Sequence, residues 1–306
     1  MIVSSHEAVM VEEVLENLVF KNNGTYVDCT FGAGGHSLEI LKKLDSLGSL
    51  VSFDKDIQAT LNLSREFIGE TRFKLINDSF SNIKKYFKND SIDGVLIDLG
   101  ISSTQLDDAK RGFSFQSDGP LDMRIDATKG ITARDWINGA SKKEIEDVLW
   151  NLGEERASRK IARKIVHSRE KKSIETTKDL SDLILNSVHA KSKKHPATNS
   201  FRAIRMFINN EIQELKEALE ASGDLLRSGG RLAVISFHSM EDRIVKRFFQ
   251  GKDRVNSRVE FKYLKDKFLK PGSQEILNNP RSRSACLLYT SPSPRDATLS
   301  RMPSSA

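Results

Sequence analysis

The chain has 306 residues, 38% hydrophobic and 29% charged, enough for one substantial core and a second small one. No apolar run approaches the roughly 20 residues of a membrane span, and the N-terminal residues lack the basic leader of a signal peptide. Two cysteines, Cys29 and Cys286, are too few for a disulfide framework, and no Cys/His cluster has metal-ligand spacing, so a reduced cytoplasm and no metal are expected. The formal net charge of +6 is unevenly placed: residues 156–194 carry twelve Lys and Arg against four acids, leaving the remainder slightly acidic. A basic patch confined to one segment suggests a docked polyanion.

Met10, Val14, Leu15 and Leu18 recur at helical spacing and predict an N-terminal helix. Thr25-Tyr26-Val27 then reads as a buried strand, a glycine turn follows (Gly32, Gly34, Gly35), and Leu38, Ile40, Leu41 and Leu44 mark a helix behind it. Strand, glycine turn and helix open a nucleotide-cofactor fold. Glycines would let a ligand approach the backbone, and the helix N-terminus offers unpaired N–H groups. Asp54 closes the next strand 22 residues after Gly32, the distance at which a ribose diol finds its acceptor. Ser37 stands where the dinucleotide fingerprint wants a sixth-position glycine. The spacing fits S-adenosylmethionine better, since that cofactor has no pyrophosphate to cradle.

Strand signals recur at 26–28, 50–54, 73–76 and 94–99, with intervals long enough for right-handed crossovers. The expected fold class is α/β, a doubly wound and mostly parallel sheet. Asp28, Asp54, Asp78 and Asp98 all fall at or just after strand ends, where such sheets bind ligands; helix capping is the competing role, expected for Asp78. The next strand is 231–237, so the interval 100–230 holds an insertion. Phe201, Ile204, Ile208, Ile212, Leu215 and Leu219 form one stripe and predict a single crossover helix after a capping Asn199. The insert is then 106–196, with helices around Ile145, Val148, Leu149 and Leu152, around Ile161, Ile165 and Val166, and around Leu180, Leu183 and Ile184. The flanking segments 1–105 and 197–285 make one discontinuous cofactor-binding domain. In the loop 111–124, Phe113 and Phe115 either stack on an unpaired base or seat the loop on the insert. Ser239 to Asp242 reads as a capping box, with His238 at the preceding strand end. Residues 286–306, rich in Ser and Pro, are expected to be disordered and non-native.

Asp28-x-Thr-x-Gly-x-Gly-Gly-His-Ser, Asp98-Leu-Gly-Ile-Ser-Ser-x-Gln105-Leu-Asp, Arg111-Gly-Phe-Ser-Phe, Asp118-Gly-Pro-Leu-Asp-Met-Arg124, Ile235-Ser-Phe-His-Ser-Met-Glu-Asp-Arg243 and Asn279-Pro-Arg-Ser-Arg-Ser-Ala285 resemble the ribosomal RNA small subunit methyltransferase H family, from about His6 to Ala285. Where the family usually has proline this chain has Ala8, and after Ala285 it leaves the family pattern. The resemblance implies a class I methyltransferase fold with a helical insert. It implies methyl transfer from S-adenosylmethionine to the exocyclic N(4) amine of a cytosine in the decoding centre of 16S rRNA. It also implies a cofactor held by Gly34, Gly35, His36, Asp54, Phe80, Asp98 and Gln105. Candidates for the acceptor facing the amine are Asp98, the Ser102-Ser103 loop and His238, in that order. The insert, through Arg156, Arg159, Lys160, Arg163, Lys164 and 191–194, is the expected rRNA clamp; monomer and homodimer both stay open. Competing readings are a DNA or other RNA amino-methyltransferase, a non-catalytic RNA-binding protein, and a nicotinamide-dependent oxidoreductase, which Ser37 disfavours.

Overall fold

The computed structural model describes residues 8–188, 195–253, 261–263 and 268–292, and the chain divides into two compact units, 1–100 with 213–306, and 101–212. The first unit is built on strands β1 (Thr25–Asp28), β2 (Ser49–Phe53), β3 (Phe73–Ile76), β4 (Ile92–Asp98), β5 (Leu226–Ser236), β6 (Phe261–Tyr263) and β7 (Cys286–Pro292). Their spatial order is β3-β2-β1-β4-β5-β7-β6. The first five pair in parallel, while β7 runs antiparallel to both β5 and β6. In chain order the α-helices are α1 (Val11–Leu18), α2 (Gly35–Lys43), α3 (Ile57–Leu61), α4 (Ser103–Asp107), α5 (Ala133–Gly139), α6 (Lys142–Asn151), α7 (Ser158–Arg169), α8 (Thr177–Leu185), α9 (Thr198–Ile208), α10 (Glu211–Leu225), α11 (Ser239–Phe249) and α12 (Ser273–Asn278). None of the described helices is long and apolar enough to cross a membrane.

Successive strand side chains point to opposite faces, and here both faces are covered, so the strands read as continuous apolar runs. Val27, Phe53, Val95, Ile97 and Val234 face one layer, packed with Leu215 and Leu219 of α10 and Phe248 of α11. Tyr26, Leu50, Leu96 and Ile235 face the other, with Val14 and Leu18 of α1 and Ile40 of α2. Gly94 sits beside Tyr26 in register, and a Cβ there would lie 2.6 Å from the tyrosine ring. The glycine makes room for the ring, whose hydroxyl donates to the Lys21 carbonyl at 3.0 Å.

The second unit has its own core, to which α6 gives Ile145 and Leu149, α7 Ile161 and Ile165, α8 Leu180 and Ile184, and α9 Phe201 and Ile204. Helices α6, α7 and α8 match the apolar spacing in the sequence. The aromatic loop seats on this core: Phe113 is buried in it, and Phe115 stacks on His195 at 4.4 Å and meets Phe201 edge-on at 5.2 Å.

Several expectations differ from the structure; Asn199, expected as a cap, lies inside α9, whose cap is Ala197. The single crossover helix is two helices, because Asn209 and Asn210 end α9. Asn210 is left-handed (φ 53°), a conformation asparagine adopts readily, and the buried Asn209 side chain accepts from the Ile125 N–H at 2.7 Å and donates to the Met123 carbonyl at 2.7 Å. The stripe therefore serves two cores, Phe201 and Ile204 in the second unit and Leu215 and Leu219 in the first. Second, part of the expected disordered tail is strand β7, whose Leu287, Leu288 and Tyr289 are buried. Two apolar residues and a tyrosine complete the sheet despite the Ser and Pro around them; residues 293–306 lie outside the described residues, as do 191–194 of the expected clamp. Third, His238, not Ser239, caps α11, its Nδ1 accepting from the Glu241 N–H at 3.4 Å.

Candidate active site

The carboxyl ends of β3, β2, β1, β4 and β5 lie side by side along one edge of the sheet, and the functional candidates of the first unit hang from them in that order. After β1 the chain turns through Gly32 (φ 54°) and Gly34 (φ 83°) into α2. Gly34 is the helix cap and has no side chain to offer, so the first N–H groups of α2 keep the unpaired donors that favour an anion.

Packing, as well as ligand approach, requires these glycines. A Cβ on Gly34 would lie 2.8 Å from both the Phe31 and Phe67 rings, and one on Gly35 2.8 Å from the Ala8 methyl. Gly34→Ala therefore combines a left-handed alanine with overpacking against two rings that meet edge-on. It is expected to lose about 2–4 kcal/mol of stability, measurable as a fall in the urea midpoint with unchanged m-value. An unchanged midpoint would mean the rings move aside freely.

Asp28 is not a ligand-facing group. Its carboxylate is buried and accepts from Ser37 Oγ at 2.6 Å and from the Thr30 N–H at 3.0 Å. Ser37 Oγ also lies 2.8 Å from Ser52 Oγ, so the residue that departs from the dinucleotide fingerprint ties α2 to β1 and β2.

Asp54, just past β2, accepts from the Gly32 N–H at Oδ2 and from the Asp56 N–H at Oδ1, both at 2.8 Å. Those bonds fix the carboxylate while each oxygen keeps a lone pair. Burial raises its pKa to about 6 against the pull of the two N–H bonds, with Asp56 and Asp28 adding to the rise. Phe80 starts the short 3-10 helix Phe80–Lys85 after β3 and packs half-buried against the sheet core. Asp78 is not its cap; Ser79 is. Asp78 instead accepts from Asn82 at 2.9 Å and the Tyr86 hydroxyl at 2.8 Å.

Asp98 ends β4. Its N–H donates to Thr30 Oγ1 at 2.8 Å, and its Oδ2 lies 3.7 Å from His36 Nδ1. His36 is buried and holds its Nε2 2.9 Å from the Val9 carbonyl. A carbonyl can only accept, so Nε2 donates there, and Nδ1 faces the carboxylate beyond hydrogen-bond distance. Asp98 Oδ1 is buried and has no hydrogen-bond partner among the described residues. Burial lifts the Asp98 pKa to about 7; His36 opposes the shift, and Asp28 and Glu241 reinforce it.

At the end of β5, His238 Nε2 lies 3.0 Å from Glu241 Oε1, a charge contact without hydrogen-bond alignment, and Glu241 Oε2 accepts from the Phe237 N–H at 2.9 Å. Glu241 is a site residue that the sequence did not single out, although its place three residues after His238 is a capping spacing. The structure thus brings Gly34, Gly35, His36, Asp54 and Asp98 together, with Phe80 along the same edge. Gln105 belongs to the second unit, where it closes a capping box on α4: its Oε1 accepts from the Ser102 N–H at 3.0 Å and its N–H donates to Ser102 Oγ at 3.2 Å. No group of side chains among the described residues could hold a metal ion.

Five parallel strands, an antiparallel β7 beside β5, a glycine turn after β1 and carboxylates after β2 and β4 define a class I methyltransferase fold. The chain belongs to the MraW methylase family, whose model matches residues 3–291. It is 45% identical over 298 residues to ribosomal RNA small subunit methyltransferase H of Coxiella burnetii (strain Dugway 5J108-111), covering 92% of this chain and 97% of that one. It is 43% identical over 307 residues to the protein of the same name from Ruthia magnifica subsp. Calyptogena magnifica, covering 95% and 99%.

Proposed function

We propose that this protein methylates the exocyclic N(4) amine of a cytosine in the decoding centre of 16S rRNA, using S-adenosylmethionine, in the bacterial cytoplasm. The observation that carries this reading is the buried Oδ1 of Asp98, without a partner among the described residues, beside the N-terminus of α2 and a second carboxylate anchored by N–H groups. Those groups suit the cofactor. Donors at the start of α2, at Gly35 and His36, match a carboxylate, Asp54 matches a ribose diol, and Phe80 supplies an apolar surface for adenine. Asp98 would hold polar groups of the amino-acid end. Bound there, S-adenosylmethionine supplies a methyl already activated by a positive sulfur, so the protein's task is largely alignment.

The nucleophile sets the harder requirement, because a cytosine amine shares its lone pair with the ring. An acceptor drawing on its N–H favours a more tetrahedral nitrogen. Ser102 Oγ already accepts from Gln105 and His238 Nδ1 from the Glu241 N–H, whereas the acceptor oxygen Asp98 Oδ1 has no hydrogen-bond partner among the described residues. Asp98 is therefore the preferred acceptor. His36, held by the Val9 carbonyl, stands 3.7 Å from it.

The second unit presents the cationic face for the rRNA backbone. Arg156, Arg159, Lys160, Arg163 and Lys164 are all exposed; the last four share one side of α7, and Arg156 lies just before that helix. Reversing Arg163 and Lys164 to Glu is expected to weaken small-subunit binding and flatten its salt dependence, with S-adenosylmethionine affinity unchanged by calorimetry. Equal loss of both affinities would remove the clamp. The reaction itself is tested by labelled methyl transfer to subunits from an unmethylated strain, followed by nucleoside mapping. Label in any nucleoside other than N(4)-methylcytidine would overturn the substrate assignment.

A further inference from the structure

The loop phenylalanines that the sequence offered for base stacking are used inside the second unit, Phe113 in its core and Phe115 against His195 and Phe201. Another aromatic is free to do that work. Trp150, in the last turn of α6, is 56% exposed, while the chain's other tryptophan, Trp136, is buried and paired with Phe207.

The neighbourhood of Trp150 follows from one ion pair. Arg159 of α7 donates to Glu146 of α6 at 2.9 Å, fastening the two helices together. Trp150 lies four residues after Glu146, one turn nearer the short connection on the same side of α6, and Arg156 lies within that connection, just before α7 begins. The indole and Arg156 thus stand at the connection end of α7, along which Lys160, Arg163 and Lys164 continue the positive charge. These four are exposed, and among the described residues no carboxylate pairs with them; on the α6 side of this face Glu146 is taken up by Arg159 and Asp147 by Lys143. A bare cationic row ending in an exposed aromatic matches a single-stranded nucleic acid, whose phosphates follow the charges while a base lies on the ring.

We infer that Trp150 and the Arg156, Lys160, Arg163 and Lys164 row form one single-strand RNA-binding surface, with the indole stacked on an unpaired base. This rests on the proposed RNA clamp and adds a base contact to it. A protein partner fits less well, because it would need an acidic strip matched to the row beside a pocket for the ring.

The two kinds of contact separate by salt. Stacking is nearly independent of ionic strength, whereas phosphate contacts release counterions. With the full-length chain and a single-stranded RNA of about 12 nucleotides, Trp150→Ala is expected to weaken binding about tenfold, equally at low and high salt. The Arg163→Glu, Lys164→Glu double variant should instead lower the slope of log affinity against log salt by about 1.4. RNA should quench the wild-type indole emission, inorganic polyphosphate should not, and Trp150→Phe should abolish the quench because only Trp136 then emits.

If Trp150→Ala binds RNA normally and the emission is unmoved while the double variant is still impaired, the clamp stands and the stacking inference falls. If the double variant also binds normally, the clamp itself is wrong. Loss of affinity for intact subunits without loss for the oligonucleotide would make Trp150 a protein contact and equally overturn the inference.

Discussion

Asp98→Asn is expected to reduce methyl transfer on the order of a hundredfold while making the ligand-free protein more stable at pH 8. Both effects come from the same carboxylate. As an acceptor with an open oxygen, Asp98 suits the proposed amine contact; an amide in the same place presents a weaker acceptor and a donor of the wrong sense. As a buried acid it is costly: its pKa is pushed to about 7 from an ordinary 3.8. Between those values the folded chain keeps a proton that the unfolded chain has released, so the Asp98 contribution to stability falls as pH rises from about 4 to 7 and is level above. Asparagine carries no such penalty. With a quarter of the Asp98 side chain exposed, the gain is on the order of 2 kcal/mol at pH 8, smaller at pH 5 and absent below about pH 4. Asp54, raised to about 6, carries a penalty of the same sign that is complete about one pH unit lower. Urea denaturation of both proteins at pH 5 and 8, with single-turnover methyl transfer at each pH, checks the pair of effects. A variant with full turnover would free Asp98 from the chemistry. One destabilised equally at both pH values would show that its carboxylate is favourable where burial says it is not.

The second large effect concerns β7. A chain ending after Ala285 is expected to be insoluble or to lack a cooperative melt, and Leu288→Asp in the full chain to behave nearly as badly. Leu288 packs on the α10 and α11 side of the sheet, and Leu287 and Tyr289 on the α1 and α2 side. Burying these three side chains contributes roughly 5–9 kcal/mol, comparable to the whole stability of a domain, and the register pairs 232–236 with 286–290 are lost as well. An aspartate at 288 would place a charge where the leucine has no exposure at all, among apolar neighbours unable to pair with it. A stop after Pro292 leaves every strand pair in place and serves as the control. Circular dichroism melts of the three chains decide the matter. Normal cooperative unfolding of the chain ending at Ala285 would mean that β7 contributes nothing.

The elements legible in the sequence are those whose own side chains carry the signal. The first four strands are doubly buried apolar runs, and they fall within two residues of the expected ends. Helices α6, α7 and α8 show their buried faces at helical spacing. The α9–α10 pair defeated that logic because both helices continue one stripe; the break depends on Asn209, whose partners Met123 and Ile125 lie more than eighty residues away. Strand β7 was masked by the composition around it, since a strand buried on both faces needs only three large residues.

Within the candidate site, sequence alone determined which residues stand at strand ends, because chemistry-bearing residues after apolar runs declare their place on a parallel sheet. Tertiary structure alone decided their states. It used Asp28 as a tie between β1 and α2, anchored Asp54 on two N–H groups, turned His36 toward Asp98, and set Glu241 against His238. Hydrogen-bond partners and burial fix whether a carboxylate is a strut or a free acceptor, and both are properties of neighbours brought together only by folding.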